Sequence, residues 1–240
     1  MMEWFVQLTG ERFDLEELSK ALNSPELCVT QEGKDFILKS TEFKFLKDAD
    51  DVRNKAREIL SLINGAARLT LGMQKSLAVT RVVNVRDDGT RQITGFVSIS
   101  ETINPRDKVS ISTITTNGIV QEIHQVGPIP SWITTAQHDT NIAKALRLFG
   151  NENQDWVNLY RIYEVIESDV GGVSNIVDKG WATKKALKRF KHTANSPTTI
   201  GDDSRHGKDT TQPPKNPMEL SEAKSIIKTL IHNWLNLKRR

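Results

Sequence analysis

Short runs of hydrophobic residues, separated by polar turns, dominate the first half of the chain and predict β-strands. The polar stretch 31–34 lies between two such runs and favours a hairpin. Asn117-Gly118 favours a second hairpin, because both residue types tolerate positive φ. The predicted strands are residues 3–9, 28–30, 36–40, 77–85, 92–100, 109–115 and 119–124.

Two segments of the same half instead repeat apolar residues at helical spacing. Residues 14–23 begin with Asp14, a good N-cap type, and carry leucines on one face. Residues 48–63 have acids in the first turns, and Gly65 is the expected end of that helix. An antiparallel sheet with two or so helices follows from these patterns, so this half is expected to be an α+β domain.

Beyond Gly127-Pro-Ile-Pro130 the pattern becomes helical throughout, and we take this turn as the domain boundary. Apolar residues recur at spacings of three and four, which is typical of helices that bury one face. The predicted helices are residues 131–149, 155–166, 174–180, 182–193 and 218–237. The sequence therefore predicts a sheet domain over residues 1–127 and an all-α bundle of four or five helices over 131–240.

Composition narrows the class of protein. The chain has 240 residues and 37% hydrophobic content, which suits a folded globular protein. It contains no apolar run of membrane-spanning length, and its N-terminus does not resemble a secretory signal. Cys28 is the only cysteine, so we expect no intrachain disulfide and no thiolate metal cluster. A cytoplasmic location without a membrane partner is the expectation.

Charge is unevenly distributed along the chain. Residues 181–240 contain 13 Lys/Arg and 5 Asp/Glu, a net of +8, whereas residues 1–180 contain 20 basic and 25 acidic residues, a net of −5. A basic C-terminal part is typical of proteins that meet RNA or another polyanion. Alternatively, the basic part docks on the acidic remainder or is simply solvated.

The polar stretch 195–217 is the strongest candidate for a functional loop, because loops of this length are uncommon inside compact domains. Arg205 and His206 are adjacent in it, and they combine a phosphate-binding fork with a group that moves protons. The bland alternative is that they tie the loop to a carboxylate of the bundle. The remaining candidate nucleic-acid contacts, on or just after the basic helix, are Lys188, Arg189, His192 and Asn195.

A carboxylate partner is expected on the helix 155–166. Tyr160, Tyr163, Glu164 and Glu167 share one face there by their spacing. Such a stripe is often packing, with the tyrosine rings in the core and the acids paired with basic groups. The sharper hypothesis is that Glu164 meets Arg205 or His206 and holds the imidazole in one tautomer. Arg205, His206 and Glu164 are thus the candidate catalytic residues.

Motifs for metals and cofactors are missing from the sequence. His124 and His138 have no carboxylate at a ligand spacing, and His192 with His206 lacks an evident third ligand. No phosphate loop, dinucleotide fingerprint or nucleophile elbow occurs. We therefore expect neither a metal nor a cofactor.

The helical half resembles the HEPN superfamily of small helical bundles. The resemblance lies in the apolar helix Leu159-Tyr-Arg-Ile-Tyr-Glu164, the basic helix, the Arg/His loop and the closing helix. The chain is also similar to a group of uncharacterised bacterial proteins that share Ala-Asn-Ser-Pro, here residues 194–197, and Arg-His-Gly, here residues 205–207. The HEPN pattern separates its Arg from its His by several positions. Here two residues separate Arg189 from His192, and Arg205 adjoins His206.

The HEPN resemblance implies a metal-independent ribonuclease of bacterial antiviral defence or toxin systems. Such bundles usually act as dimers with the site at the interface. A non-enzymatic scaffold is the alternative, with the sheet half and the bundle engaging different protein partners. A third hypothesis is a small-molecule enzyme that uses a cleft between the two halves.

Overall fold

The structure, a computed structural model, describes residues 3–95, 128–205 and 212–239. The chain divides into two units. The sheet unit contains described residues 3–55 and 79–95, and the helical unit contains residues 56–78, 128–205 and 212–239. Residues 56–78, which the sequence assigned to the sheet domain, group with the helices rather than with the sheet.

In the described residues, the sheet unit has five strands in the order β2-β3-β1-β4-β5. Strand β1 pairs antiparallel with β3, as do β2 with β3 and β4 with β5. The α+β prediction for this half is confirmed. The predicted strands 109–115 and 119–124 lie outside the described residues, as does the end of 92–100. The strands are β1 Glu3–Thr9, β2 Leu27–Glu32, β3 Asp35–Ser40, β4 Ala78–Val85 and β5 Arg91–Gly95.

The core of the sheet unit follows from the alternation along its strands. Val6 and Leu38 face each other in the β1–β3 register and are fully buried. On the sheet, Phe5, Ile37 and Val83 form a second apolar cluster. Helix α1, Arg12–Ala21, begins two residues before the predicted start, so Asp14 lies inside the first turn rather than at the N-cap.

Helix α2, Ala49–Leu71, is longer than predicted, because Gly65 does not end it. A Cβ atom at Gly65 would collide with the backbone carbonyl of Leu146, and one at Gly150 would lie 2.9 Å from the backbone nitrogen of Gly65. Glycine is needed at both positions because two helix backbones approach closely there. The prediction of a helix end at Gly65 was therefore wrong, since a glycine of close approach has the same appearance in sequence as a C-cap.

The end of α2 is tied to the segment that follows it. The side chain of Asn64 is buried; it donates to the carbonyl of Leu77 at 3.1 Å and accepts from the amide of Leu77 at 2.9 Å. These paired bonds imitate the backbone pairing of a strand. They satisfy a buried amide that would otherwise destabilise the unit.

Residues 131–149 were predicted to form one helix, and the structure divides them into α3, Ile129–His138, and α4, Thr140–Gly150. The break is at Asp139, whose backbone is extended. Its side chain accepts hydrogen bonds from the amides of Asn141 and Ile142 and so caps α4. The continuous apolar pattern hid this cap, because both helices bury the same kind of face.

The other helices of the bundle agree with the prediction to within a few residues. Asp155 caps α5, and Thr183 caps α7, each by accepting an amide hydrogen bond. The core of the unit includes the fully buried rings of Trp132, Tyr163 and Trp234. These helices are α5 Trp156–Asp169, α6 Val173–Asp178, α7 Lys184–Ala194 and α9 Leu220–Lys238; a short helix, α8 Pro197–Ile200, lies between α7 and α9 in the chain.

Asp169, the last residue of α5, joins three helices. It accepts hydrogen bonds from Trp234 Nε1 at 2.8 Å, Lys238 Nζ at 3.0 Å and Asn141 Nδ2 at 3.1 Å. Lys238 also bonds Asp139 at 3.1 Å. The end of α9 is thereby fixed to α4 and α5. Within the described ranges, none of these helices combines the length and the apolar character that crossing a membrane requires.

Candidate functional site

Helix α5 carries the predicted stripe. The side chains of Tyr160 and Tyr163 point into the core of the helical unit, with 6% and 0% of each residue exposed, whereas Glu164 is 43% exposed. The stripe is thus divided: its rings belong to the core and its carboxylates to the surface.

Arg205 is held on this surface by three contacts. Its backbone amide donates to the carbonyl of Ala194 at 2.9 Å, and its Nη2 donates to Glu164 Oε1 at 2.6 Å. The guanidinium carbon lies 4.4 Å from the ring centroid of Tyr160, a distance typical of a cation–π contact. The predicted contact between Glu164 and Arg205 is therefore confirmed. The bland alternative, in which Arg205 ties the loop to a bundle carboxylate, describes the same bond.

Aromatic packing fixes the position of Tyr160 beneath the guanidinium. Phe190 of α7 stacks on Tyr160 with ring centroids 5.8 Å apart, and it also contacts Tyr163 and Trp156 at 5.6 and 6.1 Å. Such ring pairs add to the stabilisation from burial alone. The ring of Tyr160, on which the guanidinium of Arg205 lies, is consequently part of the buried core.

A second cation lies one turn further along the stripe. Lys191 Nζ is 3.5 Å from Glu167 Oε1 and 5.5 Å from the ring centroid of Tyr163. Burial raises the pKa of the Tyr163 phenol far above its ordinary value, and the neighbouring Glu167 raises it further. Tyr163 therefore stays neutral at any physiological pH and is unsuited to act as a base.

Asn195 directly follows the end of α7 and lies beside Tyr160. Its Nδ2 donates to the carbonyl of Lys191 at 2.8 Å and lies 3.4 Å from the hydroxyl of Tyr160. Its Oδ1 is buried and accepts no hydrogen bond from the residues that the structure describes. Asn195 is half-buried and its amide donor is used within the bundle, so its role as a nucleic-acid contact stays a prediction.

Two other predicted contacts have intramolecular partners. Arg189 donates to the carbonyls of Asn216 and Pro217 at 2.9 and 2.8 Å, and to Glu222 at 2.7 Å. The ring of His192 bonds the carbonyl of Gln212 at 2.8 Å. These side chains anchor residues 212–217 to α7. Among the four predicted nucleic-acid residues, Lys188 is exposed, whereas Arg189, His192 and Asn195 are half-buried.

The stretch 195–217 is not an unbroken irregular loop. Helix α8, Pro197–Ile200, and a 3-10 turn, Gly201–Asp203, occupy its first part, and Gly201 has a positive φ of 62°. Thr193 Oγ1 accepts from the amide of Met218 at 2.9 Å and holds its far end. His206 lies outside the described residues, so its predicted catalytic role is untested by geometry.

A groove of about 500 Å³ lies between α4 and α5, next to the ion pair. Its walls include Lys144, Arg161 and the same Glu164 that binds Arg205. Sequence reasoning missed the first two, because no local pattern indicates which faces of α4 and α5 become neighbours. Pairing of the helices in space is what brings their charges together.

No three His, Cys, Asp or Glu side chains in the described parts of the chain are grouped so as to hold a metal ion. No protein-family profile, curated protein or solved structure matches the chain.

Proposed function

We propose that the helical unit binds RNA through Arg205 and cleaves it without a metal. The observation that carries the proposal is the double support of one guanidinium, by Glu164 at 2.6 Å and by the ring of Tyr160 at 4.4 Å. An arginine that is already oriented loses little conformational entropy when it receives a phosphate. Arg205 keeps 31% of its side chain exposed, so part of its N–H fork remains available to a ligand.

The proposed chemistry uses Arg205 and His206, which are neighbours in the sequence. The 2′-hydroxyl oxygen of RNA attacks the neighbouring phosphorus and displaces the 5′-oxygen of the next nucleotide, leaving a 2′,3′-cyclic phosphate. His206, as the general acid or base, moves the proton that leaves the 2′-hydroxyl or joins the departing oxygen. Arg205 stabilises the charge on the phosphoryl oxygens. Glu164 has the positioning role: it orients Arg205 rather than the imidazole.

Exposed lysines on α7, the helix whose Phe190 stacks on Tyr160, support the binding of a polyanion. Lys184, Lys185 and Lys188 are exposed on α7, whereas Arg189 and His192 are occupied by the segment 212–217. The first contacts with a strand are therefore assigned to the lysines. The bacterial defence or toxin setting, the cytoplasmic location and a homodimer are parts of the proposal that rest on the HEPN resemblance.

Cleavage of end-labelled RNA in the presence of EDTA tests the proposal. The wild type is expected to release fragments that end in a cyclic phosphate, and Arg205→Ala and His206→Ala each to lower the rate by at least about a hundredfold. Arg147→Ala is the matched control, because Arg147 is an exposed arginine of the same unit. Cleavage that survives both substitutions would reject these catalytic residues.

A non-enzymatic scaffold is the second candidate, and two exposed apolar side chains favour it. Phe45 is 89% exposed and Ile93 is 58% exposed, both in the sheet unit. Retention on a polyanion column separates the two functions, since a nucleic-acid binder loses affinity steeply as salt rises. Retention that is flat from low to moderate salt would favour the scaffold.

A further inference from the structure

Two cations face the groove between α4 and α5 without a carboxylate of their own. Lys144 and Arg161 both line it, both are exposed, and neither makes a salt bridge within the described ranges of the chain. The other arginine beside the groove, Arg205, is paired with Glu164. The available positive charge at the groove is thus supplied by α4 and α5 themselves.

The lining of the groove is mixed. Leu148 and Val165 contribute apolar side chains, and Asn141 and Ser168 contribute polar ones. The volume of about 500 Å³ is within the usual range for small-ligand sites. Apolar side chains and two cations in the lining of one groove fit a ligand that has a flat ring at one end and a phosphate at the other.

Glu164 decides whether an anion is tolerated there. Its carboxylate lines the groove and would repel a phosphate if it were unpaired. Arg205 neutralises it at 2.6 Å, which leaves Lys144 and Arg161 as the uncompensated charges of the groove. The ion pair therefore couples the groove electrostatically to the proposed catalytic arginine.

We propose that this groove binds a nucleoside 5′-phosphate, with the phosphate between Lys144 and Arg161 and the base on Leu148 and Val165. The inference deepens the proposed function, on which it rests for the identity of the polymer. The ligand is either a free nucleotide or one unit of a single-stranded RNA whose neighbouring phosphate reaches Arg205. Lys144 and Arg161 would then be binding residues, not catalytic ones.

Calorimetry on the full chain tests the groove with two probes. One is adenosine 5′-monophosphate, and the other is a short 5′-phosphorylated 2′-O-methyl oligoribonucleotide, which cannot form a cyclic phosphate. Lys144→Glu and Arg161→Glu are each expected to weaken binding by about tenfold or more. Arg147→Glu, with the same charge change on α4 and outside the groove, is expected to stay within about twofold of the wild type.

Each outcome decides the proposal. Loss of mononucleotide binding in both groove variants supports a free nucleotide, and loss of oligonucleotide binding alone supports a unit of RNA. Equal binding to the wild type and both groove variants would overturn it, as would equal binding of adenosine and its 5′-phosphate, or no binding of either probe. Circular dichroism of these surface variants confirms that each is folded.

A double substitution separates the groove from the catalytic residues. Arg205→Ala leaves Glu164 uncompensated, so it is expected to weaken nucleotide binding, and adding Glu164→Gln is expected to restore it without restoring cleavage. If RNA is cleaved and the groove variants leave its KM unchanged, the groove fails while the proposed function stands. If groove binding follows the expected pattern but no RNA is cleaved, the opposite holds.

Discussion

The carboxylate of Glu164 lies 2.6 Å from the guanidinium of Arg205, although 41 positions separate them in the chain. A helix face and the end of a polar stretch are thereby joined at one point. The pair is partly exposed, at 43% and 31% of the two side chains, so its contribution to stability is expected to be at most about 1 kcal/mol. Its importance lies in orientation.

Glu164→Gln is therefore expected to change stability little and activity strongly. We expect the free energy of unfolding to fall by less than about 1 kcal/mol, because solvent screens the pair. The rate of RNA cleavage should fall by about tenfold or more, because Arg205 loses its fixed orientation. Urea denaturation and single-turnover kinetics measure the two effects.

Arg205→Lys should not preserve activity, since an ammonium neither stacks on a ring nor donates in the bidentate geometry of a guanidinium. Full activity of this variant in the same kinetic assay would contradict the role of an oriented guanidinium.

Lys188 and Arg189 form a matched pair of neighbouring cations with different expected roles. Arg189→Ala removes the bonds to Asn216, Pro217 and Glu222, and should lower the free energy of unfolding by about 1–3 kcal/mol. Hydrogen exchange of residues 212–219 should speed up. Lys188→Ala should leave stability unchanged, but lower RNA affinity and reduce the salt slope by about one. The same loss of stability in both variants would contradict the assignment of Arg189 as an anchor.

Gly65→Ala tests the close approach of α2 and α4. The added methyl group meets the carbonyl of Leu146, so the helices must separate, which is expected to destabilise the unit by at least about 1–3 kcal/mol. Gly95→Ala is the control, because a Cβ there meets no atom of the described residues within 4 Å and the backbone is not in the positive-φ region. Thermal unfolding compares the two. A stabilised Gly65→Ala variant, as expected if Gly65 were a mere weak point of the helix, would refute the contact.

Asp169 should make stability depend on acid. Burial tends to raise its pKa, but the hydrogen bonds from Lys238, Trp234 and Asn141 outweigh burial and lower the pKa below the ordinary value of 3.8. A lowered pKa means that the stabilisation is complete above the unfolded-state pKa and is lost as pH falls through the folded-state pKa. Urea midpoints measured from about pH 6 down to about pH 3 should fall less steeply in Asp169→Asn, whose stability is already reduced. Asp178→Asn, at an exposed aspartate, should retain the wild-type slope.

Lys238, in the same network, should make stability depend on alkaline pH. The hydrogen bond to Asp169 raises its pKa, although burial opposes the change, and Asp139 adds to the rise. A raised pKa gives stabilisation that is complete below the unfolded-state pKa and is lost as pH rises through the folded-state pKa. Lys238→Met should accordingly flatten the alkaline limb of the stability curve, and an unchanged limb would exclude this contribution.

Local signals in the sequence predicted the elements well and their partners less well. Strand β1 has the predicted bounds, and α5 begins directly after its cap Asp155, because alternation and capping are short-range properties. The predicted end of α2 was wrong because Gly65 is required by the neighbouring backbone of Leu146. The single helix predicted over 131–149 was wrong because Asp139 is a cap inside an apolar repeat. Both require tertiary information or a finer weighting of caps.

The same distinction applies to the candidate site. Helical spacing placed Tyr160 and Glu164 on one face, and charge complementarity then indicated Arg205 or His206 as the partner of Glu164; the structure shows the contact with Arg205. The anchoring by Arg189 was not foreseen, because its acceptors are backbone carbonyls and carbonyls carry no sequence signal. The groove cations Lys144 and Arg161 were not predicted as site residues for a related reason, because the pairing of α4 with α5 depends on contacts that are distant in the sequence.

Residues on both sides of the segment 206–211 are held to the bundle by hydrogen bonds. On one side the backbone of Arg205 bonds Ala194; on the other His192 bonds Gln212 and Arg189 bonds Asn216. None of these bonds uses a side chain of the six residues between. A substitution within 206–211 therefore leaves every group that makes these bonds unchanged, and both attachment points are expected to persist in such a variant.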